Sequence, residues 1–148
     1  MIFKPFTIYY FTPFYFSNGN LPKNKYFISI YQEGDSITFA YLPTSKDSVP
    51  DIYLSHGCVN VPEKQISCYI FKKDIKVTTN NFSFPLNTFI YAYQLNSFSK
   101  LKLEETYKNE DIDYEVVGIL NDDEKNNLID CLINSPNIKR KIKKALKR

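Results

Sequence analysis

One stretch limits what this chain can fold into more than any other, residues 23–47, KNKYFISIYQEGDSITFAYLPTSKD. Two runs of β-branched and aromatic residues meet through Glu33-Gly34-Asp35, where glycine and aspartate accept the positive φ of a short hairpin connection. Antiparallel pairing would return the end of the second run to the start of the first. Lys25 opens the first strand and Thr44, Ser45 and Lys46 follow the second. The pattern therefore predicts two ammoniums and two hydroxyls around one small volume, a cradle for an anion such as a phosphodiester.

The rest of the composition agrees with a sheet. Twelve Tyr and twelve Phe, with no Trp, suit pleated, half-buried surfaces, and 148 residues bury an ordinary core, so the reading is one mainly β domain over 1–148. Charge is uneven. Seven of the nineteen Lys and Arg lie at or beyond Lys139 with no acid among them, which leaves twelve against sixteen acids in the body. A basic helical tail from about residue 136 reads either as a helix end complementing its dipole or as an RNA-contacting segment. Cys58, Cys68 and Cys131 are odd in number and without CxxC spacing, so reduced thiols and a cytoplasmic setting are expected. The apolar start, MIFKPFTIYYFTPFYF, is broken by Pro5 and Pro13 and falls short of the roughly 20 residues that span a bilayer.

Strands are expected over 6–16, in the hairpin, over Gln65–Phe71, Ile75–Thr79, Thr88–Leu95 and Tyr114–Ile119, with a further short one over Asp51–Leu54. Ser55-His56-Gly57 is expected to turn the chain. Residues 97–107 fit a short strand or a helical turn. Regular helix is expected at the end alone. Asn121 caps a helix whose first turn holds Asp122, Asp123 and Glu124, with Glu124 placed to close a capping box, and Leu128, Ile129, Leu132 and Ile133 form its apolar face. Pro136 starts a second, with Ile138, Ile142, Ala145 and Leu146 as its stripe. Short curved strands with a C-terminal helical pair suit a small, partly open barrel.

LPKNKYFISIYQ followed by SITFAYLPTSKD resembles the MazF/PemK-like toxin superfamily, and most of all its ToxN/AbiQ branch of type III toxin-antitoxin endoribonucleases. YEVVGILNDDEKNNLIDCLIN is similar to the strand and capped helix that end MazF-type chains. The resemblance implies an SH3-like, partly open β-barrel with C-terminal helices. It also implies metal-independent cleavage of single-stranded RNA by 2′-hydroxyl attack, a cognate antitoxin that is a protein or a small RNA, and a possible homodimer, with no cofactor and no membrane. Lys25 and Thr44 fall on the family's basic and Thr positions, with Ser45 and Lys46 beside them. MazF proper is built on Arg, whereas this body has none, Arg140 and Arg148 both lying in the tail. The site is then the Lys variant or is silent, which leaves a second reading, an RNA- or protein-binding module.

Cleavage needs a base near the 2′-hydroxyl, donors for the phosphorane and an acid for the leaving oxygen. Lys25, Lys46, Thr44 and Ser45 are the candidates. The bland readings are a Lys that guards a strand and a Thr-Ser pair that stabilises a turn. His56, the single histidine, has an unperturbed pKa near neutrality and is a candidate acid or base, or a bystander in a loop. No zinc-like ligand spacing accompanies His56 and Cys58. Lys23 is a candidate RNA contact, and Tyr41, Tyr53 and Tyr91 can stack bases or simply pack the core.

Overall fold

The computed structural model describes residues 3–16, 18–43 and 49–147. Eight strands form two antiparallel sheets. β1 (Thr7–Phe14), β2 (Lys23–Glu33), β3 (Ser36–Tyr41), β7 (Leu95–Ser99) and β8 (Tyr114–Ile119) make a five-stranded sheet in the order β7-β3-β2-β1-β8. β4 (Gly57–Val61), β5 (Ile66–Phe71) and β6 (Thr88–Ile90) make a three-stranded one. The chain is mainly β, as composition implies, but the described strands do not close into a barrel.

Alternation along β1 to β3 builds two layers. Ile8, Ile28, Ile30, Ala40 and Leu42 face a core shared with Tyr69, Phe71 and Ile90 of the smaller sheet and with the C-terminal helices α2 (Asp122–Ile133) and α3 (Arg140–Leu146). Tyr9, Phe11, Phe27, Ile37 and Phe39 face the other way, into an aromatic layer covered by Phe3 and by α1 (Lys100–Thr106). Proline cannot donate to a ladder, and at Pro13 the register slips from Phe11↔Lys25 to Phe14↔Lys23. The extra residue turns Phe14 onto the same face as Phe11, where both join the outer layer. A third cluster, Val49, Val59, Cys68, Ile70 and Phe89, lies beneath Tyr53 and Tyr91.

Several expectations are corrected. Residues Asp51–Tyr53 form a 3₁₀ turn rather than a strand, while Gly57, expected within a turn, opens the strand Gly57–Val61. The expected strand over Thr88–Leu95 is broken by a 3₁₀ turn at Ala92–Gln94, because the chain leaves the small sheet there and enters the large one as β7. Residues 75–79 make only isolated bridges, and cover the outer edge of β8 through Thr79 N–H to Ile119 O (2.9 Å) and Asn121 N–H to Val77 O (3.0 Å). Helix is not confined to the end. Ser99 caps α1, its hydroxyl accepting from the Lys102 N–H at 3.3 Å. The last helix starts at Arg140 rather than near Pro136.

Cys58 and Cys131 are joined in a disulfide, against the expectation of three reduced thiols, with Cα atoms 5.5 Å apart. Spacing in sequence carried no sign of it, because the partners are 73 residues apart and meet only when α2 lies on β4. Cys68 is free and buried. Among the described residues no helix is long and apolar enough to cross a membrane.

Candidate functional site

The β2–β3 hairpin positions Lys25 as its sequence demands. Gly34 takes φ 58° at the turn, and Phe27 pairs with Tyr41 at the far end. Lys25 is half-buried on the same side of β2 as Phe27, and its Nζ sits 4.3 Å from the centroid of the Tyr41 ring. A ring face holds an ammonium by its quadrupole without neutralising it. Lys25 makes no ion pair among the described residues, so its charge stays open to an anion. Beyond Tyr41, the Leu42 N–H donates to Tyr26 O (3.2 Å) and Pro43 O accepts from the Phe89 N–H (3.2 Å), which ties the departing chain to both sheets.

Tyr41 also lines a groove of about 720 Å³ on the outer face of the large sheet. Phe27, Phe39 and Phe98 line it alongside Phe16 from the β1–β2 connection, α1 contributes Lys102, and four amides, Asn18, Asn20, Gln94 and Asn96, add polar groups. Two ties hold α1 in place. The Asp35 carboxylate accepts from the Ser99 hydroxyl (2.6 Å) and the Leu101 N–H (2.9 Å), and these bonds, the first above all, hold its carboxyl below the usual range. Tyr107 accepts the Tyr15 N–H at 2.9 Å, and burial pushes its phenol upward. Among the described residues, the lining contains no carboxylate.

His56 belongs to a different assembly. The Lys72 backbone N–H donates to Nδ1 at 3.1 Å, which requires an unprotonated Nδ1 and leaves the ring proton on Nε2. That Nε2–H donates to both Glu124 oxygens at 2.8 Å, and the Tyr69 hydroxyl donates to Oε1 at 2.6 Å. Glu124 is 8% exposed, and burial together with the carboxylate bond drives the Tyr69 phenol far upward. The expected capping box is only half made. Asn121 Oδ1 accepts the Glu124 N–H (2.9 Å), but the Asn121 N–H is already given to Val77, so the carboxylate turns inward to the tyrosine and histidine.

Of the residues singled out from sequence, Lys25 and Tyr41 come together, and Tyr41 also lines the groove. Lys23, on the same strand as Lys25, is exposed and pairs with Phe14 of β1. Tyr53 packs on the third cluster, and His56 contacts the core between the sheets, so neither joins Lys25 and Tyr41. Thr44, Ser45 and Lys46 lie outside the described residues. The basic helix α3 approaches the other end of β2, where Lys141 Nζ is 3.7 Å from Glu33; that point is eight residues, about 26 Å of strand, from Lys25. The groove was not legible in the sequence, because its residues come from five separate segments; the excess of aromatics over what one core needs was the only signal. No family model, no curated protein and no solved structure matches this chain.

Proposed function

We propose that this chain is an endoribonuclease of the MazF/ToxN-like kind, acting on single-stranded RNA at the Lys25 end of the β2–β3 hairpin. The observation that carries the reading is an ammonium without an ion-pair partner among the described residues, half-buried against Tyr41, a ring that also lines an aromatic groove bearing four amides. A phosphodiester seated at Lys25 has its neighbouring bases within reach of rings that stack them. In this reading the 2′-oxygen attacks phosphorus while the bond from phosphorus to the 5′-oxygen breaks. The 2′-hydroxyl proton passes to the neutral amine of one lysine, the leaving 5′-oxygen takes a proton from the ammonium of the other, Lys25, and the products are a 2′,3′-cyclic phosphate and a 5′-hydroxyl. Thr44, Ser45 and Lys46, which follow Pro43, supply donors to the phosphorane, each such donor worth about 3–4 kcal/mol in the transition state. His56 takes no part at the phosphate, since both ring nitrogens are engaged within the protein.

The two sheets about their shared core correspond, in this reading, to the SH3-like, partly open barrel of the family. A protein or small-RNA antitoxin restrains the activity, and a homodimer is the expected assembly. The cytoplasm, where the substrate is, is the expected setting; the Cys58–Cys131 bridge pulls against it, because reducing compartments rarely keep disulfides.

A second reading, a silent RNA-binding module, is favoured by two observations: among the described residues no carboxylate lines the groove, and the single imidazole is occupied elsewhere. Incubation of the purified chain with unstructured RNA in the presence of a chelator separates the two. Cyclic-phosphate ends that vanish in Lys25→Ala and Thr44→Ala support the nuclease. Intact RNA that is nevertheless bound supports the module.

A further inference from the structure

We infer that the outer groove seats one unstacked nucleobase of single-stranded RNA, with the adjoining phosphate at Lys25. The inference rests on the RNA reading above and assigns that site a base-reading pocket. Three observations carry it beyond stacking alone.

The first is an orphaned acceptor. Gln94 lines the groove, and its Oε1 is shut from solvent without a hydrogen-bond partner. A buried acceptor without a donor is a standing cost in the free chain, and such groups are few in native folds. That oxygen is closed off as it stands, so the Gln94 side chain must swing to bring its amide edge into the groove. The exocyclic amino group or ring N–H of a base then satisfies the oxygen, while the amide N–H₂ donates to the neighbouring ring acceptor.

The second is composition. Four amides stand around rings of Phe16, Tyr41 and Phe98, and a flat heterocycle with a polar edge uses both kinds of surface at once. An apolar peptide would stack on the rings and leave the amides unmatched. The third is charge. Lys102 lies in the lining and Lys25 on the Tyr41 ring, and among the described residues no carboxylate lines the groove, so the ligand is an aromatic group attached to phosphate.

The test uses the full chain and a single-stranded RNA whose riboses carry 2′-fluoro groups, so that no 2′-hydroxyl attack is possible and binding is read by itself. One position holds 2-aminopurine, and the chain has no Trp to obscure its emission. Quenching of the analogue on binding, and at least tenfold weaker binding of the same strand with an abasic position there, are expected. Gln94→Met keeps the packing and removes the orphan, so it should hold or raise Tm while weakening binding about tenfold. Asn96→Ala, at an exposed position, should also weaken it and guards against a misfolded first variant. A free nucleoside monophosphate arm that competes as well as the strand assigns the pocket to mononucleotides and overturns the strand assignment. Equal affinity for the abasic strand, or a Gln94→Met variant that binds like wild type, overturns the pocket even where unmodified RNA is cut in a Lys25-dependent way. Conversely, base-dependent binding without cleavage of unmodified RNA retains the pocket and removes the nuclease.

Discussion

Reduction of the Cys58–Cys131 bridge is the perturbation whose size is set most directly by the geometry. The bond joins β4 to α2 across 73 residues. Closing a loop of that length withdraws about 4 kcal/mol of chain entropy from the unfolded state at 25 °C, inside a measured range of roughly 0–5 kcal/mol. In a domain of this size each kcal/mol moves Tm by about 2–4 °C, so full reduction should lower it by about 8–16 °C. Cys68 leaves the experiment clean. It is 3% exposed, and burial pushes its thiol up to about 11, so at neutral pH it neither attacks the bridge nor takes an alkylating reagent in the folded chain. Thermal unfolding followed by circular dichroism, with and without a phosphine reductant, gives the shift. Mass spectrometry after alkylation of the folded protein should place an adduct at exposed Cys58 only once the bridge is reduced. Cys58→Ser should reproduce the shift without reductant, whereas Cys131→Ser adds the cost of a hydroxyl in the core. A Tm that falls by less than about 2 °C would refute the loop argument, because the unfolded chain would then gain almost nothing on release.

Three further outcomes are expected from other contacts. Tyr69→Phe removes a charge-assisted hydrogen bond to a carboxylate that is 8% exposed, and should cost about 1.5–3 kcal/mol in denaturant unfolding; combined with His56→Ala the losses should depart from additivity, and two additive losses would show the groups to be independent. Gly118→Ala would drive Cβ against Asn80 Oδ1, displacing the side chain whose Nδ2 donates to Val117 O, and should cost about 1–3 kcal/mol; an unchanged midpoint would mean that Asn80 swings aside freely. Burial lifts the phenols of Tyr9, Tyr26, Tyr69, Tyr107 and Tyr114 above their ordinary value of 10.0, so the folded chain keeps protons that the unfolded chain releases. Their contribution to stability is complete below about pH 10 and declines as pH rises beyond it; denaturant midpoints that hold steady above about pH 10 would contradict this.

The candidate site was legible where it depends on neighbours in sequence. Lys25 at the strand opening, Gly34-Asp35 at the turn and Tyr41 at the strand end are fixed by alternation and turn chemistry within one hairpin, and the structure brings Lys25 to Tyr41. His56 was visible as a lone titratable side chain, yet its partners come from β5, α2 and the Lys72 backbone, which no local pattern joins.

What the sequence determined alone was the period-two patterning of β1, β2, β3, β5 and β8 and the Asn121 cap of α2, because side-chain alternation and capping are decided within a few residues. What only tertiary structure decided was the division into two sheets, the α2–β4 disulfide, the inward turn of Glu124 and the aromatic groove. Each depends on which apolar face covers which. That choice is made by burial summed over the whole chain, so a segment such as Thr88–Leu95, strand-like throughout, is cut where it must pass from one sheet to the other.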